Sequence, residues 1–125
     1  MVKKVFTENA PNAIGPYSQA VVCDGYLFTS GQIAINPSSG AVETETIIEQ
    51  TTVVCENLKA ILNSQNLDFN SVIKTTCFLK DMNDFAKFNE VYGKYFTSKP
   101  ARSCVEVARL PKDVLVEIEI IAKLG

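Results

Sequence analysis

The architecture of this chain is written most plainly in Pro100-Ala101-Arg102-Ser103-Cys104-Val105-Glu106-Val107-Ala108-Arg109-Leu110-Pro111-Lys112-Asp113-Val114-Leu115-Val116-Glu117-Ile118-Glu119-Ile120-Ile121-Ala122. Two runs in it alternate with the period of two that marks a strand. In the first, Ala101, Ser103, Val105 and Val107 share one face, and Arg102, Cys104 and Glu106 the other. In the second, Val116, Ile118 and Ile120 share a face, and Leu115, Glu117, Glu119 and Ile121 the other. Leu110-Pro111-Lys112-Asp113 joins them, and Pro100 closes whatever precedes them.

Upstream, the period changes. Ile47, Thr51, Val54, Cys55, Leu58, Ile61 and Leu62 recur every three or four residues, which predicts a helix from about Thr46 to Ser64. Residues 72–79 are β-branched and read as a strand. Phe85, Phe88, Tyr92 and Tyr95 or Phe96 give a second helix, with Asp81 or Asn83 as its cap. Nearer the start, residues 18–23 and 25–30 flank Asp24-Gly25, a hairpin turn signal, and residues 2–6 read as an edge strand. The order is β-β-β-α-β-α-β-β in one domain over residues 1–125. It is an α+β chain whose mixed sheet is covered by two helices on one face. The uncovered face, carrying Val22, Leu27 or Phe28, Cys104 and Glu117, is too apolar to be left to water. A second copy of the chain is the expected cover, giving a symmetric oligomer.

Composition narrows function. The chain has 125 residues, 46% of them apolar, and a net charge of −2. That gives no basic footprint for nucleic acid, and no apolar run approaches the ~20 residues that span a bilayer. Met-Val-Lys-Lys-Val-Phe-Thr-Glu lacks the apolar stretch of a secretory signal. Cys23, Cys55, Cys77 and Cys104 contain no Cys-x-x-Cys pair, which argues against a zinc or redox site and for free thiols in the cytoplasm. Three of the four are expected to be buried as small hydrophobes. There is no histidine. A Ser-His-Asp triad, a Cys-His dyad and a histidine base are therefore excluded.

Only two residues are arginines, Arg102 and Arg109, both within one eight-residue window. A guanidinium is a permanently charged planar fork that grips a carboxylate through two parallel bonds. A charge within a sheet is costly unless paired. Arg102 is thus a candidate anion receptor, the competing reading being a structural ion pair. Glu117 lies mid-strand among Val and Ile. A carboxyl half-sheltered by apolar walls holds its proton towards neutrality and can exchange it there. Its competing reading is pairing with a lysine at an exposed edge. Ile14-Gly15-Pro16-Tyr17-Ser18-Gln19 presents an aromatic hydroxyl on a turn. Thr29-Ser30-Gly31-Gln32 ends a strand with hydroxyls and a glycine that lets a ligand approach the backbone.

These segments, together with Asn9-Ala10-Pro11 and above all residues 100–113, resemble the RidA (YjgF) family of reactive-intermediate imine deaminases. The resemblance covers almost the whole chain. It implies a chorismate-mutase-like α+β fold, a homotrimer, and clefts between subunits. It also implies hydrolysis of 2-imino acids, such as 2-iminopropanoate and 2-iminobutanoate, to 2-oxo acids and ammonia without metal or organic cofactor. Carried over by position, Arg102 grips the substrate carboxylate, backbone groups of Cys104 meet the carboxylate and the water, and Glu117 positions or activates that water. Tyr17, Ser30, Gly31 and Asn89 line the pocket. One departure bears on side-chain preference: the connection ahead of the arginine strand is only Thr97-Ser98-Lys99. A nucleophilic Cys104, a non-catalytic receptor for small 2-oxo acids, an RNA-cleaving activity, a chorismate mutase and a chaperone-like holdase are the rival readings.

Overall fold

The computed structural model describes residues 1–125 as one six-stranded sheet with two helices on one side. The strands are β1 (Lys3–Val5), β2 (Ala20–Cys23), β3 (Tyr26–Thr29), β4 (Val72–Leu79), β5 (Ala101–Glu106) and β6 (Val116–Lys123). The helices are α1 (Ile47–Ser64) and α2 (Phe85–Tyr95). The element order matches the sequence expectation. The spatial order is β1-β2-β3-β6-β4-β5. All pairs are antiparallel except β4 and β5, which run parallel because α2 carries the chain back between them. β5 and β6 are therefore not neighbours; β4 lies between them.

Local chemistry accounts for the elements. Asp24 (φ 52°) and Gly25 (φ 82°) are both left-handed, the conformation a two-residue hairpin needs between β2 and β3. Helix α1 starts at a capping box: the Thr46 hydroxyl accepts from the Glu49 amide, and the Glu49 carboxylate accepts from the Thr46 amide. Asp81 caps a short 3-10 turn, Met82–Asp84, that leads into α2; Asp84, at the cap of α2 itself, makes no such bond. The expected capping residue thus acts one turn earlier than α2.

The core lies between the helices and the sheet. Val54, Leu58, Ile61 and Leu62 of α1, Phe88 and Phe96 at α2, and Leu27, Cys77, Leu79, Val116, Ile118 and Ile120 of the sheet are all buried. Each fully buried aliphatic side chain contributes about 1.5–3 kcal/mol. The opposite face has no cover within the chain. It carries Phe28 and Val105, 39% and 46% exposed, beside half-buried Phe78 and Ile121.

Two sequence expectations are corrected. Val22 and Cys104 do not lie on the uncovered face. Val22 pairs with Leu27 and Cys104 with Cys77, so both face the helices and pack against the core. Only Cys55 and Cys77 are fully buried; Cys23 and Cys104 are half-buried. No helix is long and apolar enough to cross a membrane.

Candidate active site

Arg102 stands on edge strand β5, opposite Thr75 of β4, and so on the helix-covered side. Helix α2 meets it with one face. The guanidinium carbon lies 5.3, 5.9 and 4.8 Å from the ring centres of Phe85, Phe88 and Tyr92. Each such contact is favourable by about 0.5–2 kcal/mol, which offsets the cost of sheltering the charge. The Arg102 guanidinium donates one hydrogen bond, 2.7 Å long, to Asn89 Oδ1. Tyr92 is itself fixed by a 2.8 Å bond between its hydroxyl and that of Thr75. Arg102 has no carboxylate partner, since the chain's only ion pair joins Arg109 to Asp113. Of five guanidinium N–H donors, four remain free. Within one chain, then, Arg102 is not locked in a structural ion pair.

Cys104 is two residues further along the same face. Burial raises its thiol pKa, and the smaller effect of the Arg102 charge works the other way. The group is a protonated thiol at neutral pH, which argues against thiolate chemistry. Its buried neighbour Cys77 is pushed up to about 12, chiefly by burial.

Glu117 occupies the other face of the sheet. It pairs with Phe78 of β4, and its side chain stands on the uncovered side. Its pKa is raised, first by desolvation and then by the charge of Glu119. No lysine or arginine pairs with it. Its seat is made by Gly31. The Gln32 and Ile118 backbones exchange two hydrogen bonds, of 2.8 and 3.1 Å, which draw residues 31–32 alongside β6. A Cβ at Gly31 would fall 2.7 Å from Glu117 Cδ and 3.0 Å from its Cγ, and would overlap the carboxyl oxygen Oε2. Glycine is required here for space: the carboxyl fills the place of a side chain.

Tyr17, Gly31, Gln32 and Glu117 line one small cavity of about 70 Å³. The Tyr17 hydroxyl is held by the Ile14 amide at 3.3 Å, and the ring is half-exposed. Ser30 sits next to this group, its hydroxyl donating to the Ser18 carbonyl at 2.6 Å. Buried Gln19 ties the arm to the wall. It accepts from the Thr7 amide and donates to the carbonyls of Thr7, Ala10 and Pro11.

The predicted residues thus form two half-sites. Arg102, Cys104 and Asn89 are together on the covered side at the β5 edge. Tyr17, Ser30, Gly31 and Glu117 are together on or beside the uncovered face. One chain does not unite them, because the sheet and strand β4 intervene. Sequence reasoning missed the Phe85–Phe88–Tyr92 wall around the guanidinium and the Gln19 anchor. The signal for the first was present: aromatics spaced three and four apart, on a helix feeding straight into the arginine strand.

The chain is thus of the small α+β class: a mixed sheet with two helices on one face, an arginine at its edge with no carboxylate partner in the chain, and a sheltered glutamate on its bare side. The chain belongs to the Endoribonuclease L-PSP family, the YjgF/RidA family, whose model matches residues 7–124. The resemblance read from sequence is borne out. A RutC family protein of Pyrococcus horikoshii is 58% identical over 123 residues, 98% of each chain. A 2-iminobutanoate/2-iminopropanoate deaminase of Salmonella typhimurium is 52% identical over 126 residues, again 98% of each. Escherichia coli TdcF, solved with bound serine, superposes with a TM-score of 0.93 at 46% identity, covering 98% of this chain and 99% of that one.

Proposed function

We propose that this protein hydrolyses 2-imino acids, such as 2-iminopropanoate and 2-iminobutanoate, to the 2-oxo acid and ammonia. The observation that carries the reading is the Arg102 guanidinium, with aromatic walls, a single amide partner and no carboxylate. Such a fork holds the substrate carboxylate through paired charge-assisted bonds. The imine carbon then faces water. Glu117 takes a proton from that water as it adds across C=N, and returns one to the nitrogen. Collapse of the resulting amino alcohol expels ammonia and leaves the ketone. A carboxyl whose pKa lies above the usual range suits both directions of transfer. Imines hydrolyse in water unaided, so orientation and charge stabilisation are sufficient catalysis, and the scheme calls for no cofactor.

The two half-sites meet only if a second copy lays its bare sheet face near the Arg102 edge of the first. A homotrimer supplies that arrangement by symmetry and covers Phe28, Val105, Phe78 and Ile121. Each cleft then takes Arg102, Cys104 and Asn89 from one subunit and Glu117, Tyr17, Ser30 and Gly31 from the next. The compartment is the cytoplasm, where four free cysteines persist. In support, a 52% identical relative is named as this deaminase.

The family description names an endoribonuclease, but a chain without histidine and with net charge −2 offers little to a polyanion. A non-catalytic receptor for 2-oxo acids is the nearer rival, favoured by the relative that holds serine. A coupled assay separates them. An amino-acid oxidase generates the imine, and the decay of the imine is followed with and without the protein. Accelerated decay supports the deaminase. Binding of 2-oxobutanoate without acceleration supports the receptor.

A further inference from the structure

The recess beside Arg102 has a volume of about 330 Å³, and its walls include Asn89, Tyr92, Phe96, Thr97, Lys99 and Arg102. Two of its lining residues are cations and none is a carboxylate. Neither cation is in an ion pair. The chain as a whole holds 14 acidic against 12 basic residues, so a hollow with two unmatched positive charges runs against its overall balance. Like charges around one hollow repel each other unless an anion lies between them.

The backbone of Lys99 is also held in place, and its side chain is exposed. Lys99 is the last residue but one of the short connection from α2 to β5, its amide donates to the Phe96 carbonyl at 3.2 Å, and its backbone is left-handed, φ 57°. A residue with a Cβ takes that conformation at some cost in strain. The bend reverses the chain directly ahead of Pro100 and leaves Lys99 and Arg102 on the walls of the same hollow. Arg102 presents a fork suited to one carboxylate. Lys99 presents a point charge that suits a second without demanding its geometry.

We propose that Lys99 and Arg102 make this recess a dicarboxylate site. Its ligands are 2-imino and 2-oxo acids with a second carboxylate on the side chain, the α-carboxylate on Arg102 and the distal one on Lys99. Binding stands on the recess alone; turnover of the imino diacid, with one water consumed and one ammonia released, rests on the deaminase reading. Lys99 is the specificity-determining residue, and a monocarboxylate engages Arg102 only.

The test uses the full-length protein and its K99M variant, titrated calorimetrically at low salt with 2-oxoglutarate and with 2-oxobutanoate. The wild type is expected to bind the diacid about tenfold or more tightly than the monoacid, with the gap narrowing as salt rises. K99M is expected to lose that preference while keeping its affinity for 2-oxobutanoate. Equal binding of both acids by the wild type, or a preference that survives in K99M, overturns the proposal. Imine decay measured in parallel keeps the two readings apart. Tight diacid binding without accelerated decay of either imine upholds this site and sinks the deaminase. Normal turnover of the monoacid imine with no diacid preference does the reverse.

Discussion

Arg102 and Glu117 are sheltered to a similar degree and treated in opposite ways. The arginine lies under a helix, and three aromatic rings and an amide oxygen face its charge. The glutamate has a glycine notch, apolar neighbours and the charge of Glu119, all of which disfavour its charged form. A receptor for an anion must keep its charge; a group that passes protons must be able to lose it. The sheet keeps the two apart within a chain, so neither environment spoils the other. Under the proposed function, the arrangement also makes each chain half a catalyst.

The contrast can be broken at several points. Arg102→Ala should lower kcat/KM for 2-iminobutanoate by about two to three orders of magnitude, the loss typical of removing one partner of a desolvated charge pair. Decay at the parental rate in the coupled assay would rule out the receptor role.

Next in size is a recovery. Arg102→Ala and Glu117→Gln chains, each inactive alone, are unfolded, mixed in equal amounts and refolded together. If each cleft draws one residue from each of two copies, about a quarter of clefts are intact, half the copies supplying Arg102 and half supplying Glu117. No recovery, with mixed oligomers verified by mass spectrometry, means the clefts do not combine two chains.

Gly31→Ala should reduce kcat by about tenfold or more while the fold survives, because the Glu117 side chain can swing away from the added methyl. The check that a merely structural role would not move is the Glu117 titration, read by carbon NMR. Eviction into water should bring it down towards the ordinary 4.5.

The smallest effect is on stability. Glu117 holds its proton more tightly in the folded chain than in the unfolded one. Stability therefore falls as pH rises from the unfolded value through the raised folded one. Glu117→Gln removes that decline, so the variant should gain on the parent in denaturant melts at about pH 7.5 and not at about pH 4. Solvent screening of a half-exposed carboxyl keeps the gain modest. An equal difference at both pH values would show that the carboxyl titrates normally.

Much of this was legible in the chain. The strand and helix order follows from changes of period, and the Asp24-Gly25 turn from its chemistry. Val116, Ile118 and Ile120 announce the covered side of β6. Alternation within a strand says nothing about its neighbours, so the insertion of β4 between β5 and β6 was not readable. Strand β5 misled for a physical reason. Its covered side carries Arg102, Cys104 and Glu106 and its bare side Ala101, Ser103 and Val105, the inverse of the usual polarity. The aromatic face of α2 makes that inversion tolerable, and only the fold brings it over Arg102. Likewise Gly31 could be seen as permissive, but not that its missing side chain is where Glu117 rests.

The sheltered glutamate has a last consequence for kinetics. There is no imidazole anywhere in the chain, and the Cys104 thiol ionises only above its usual range. Under the proposed chemistry, an activity curve drawn against acidity should therefore bend once through the acidic and neutral region, where Glu117, held up by burial and by the charge of Glu119, changes form.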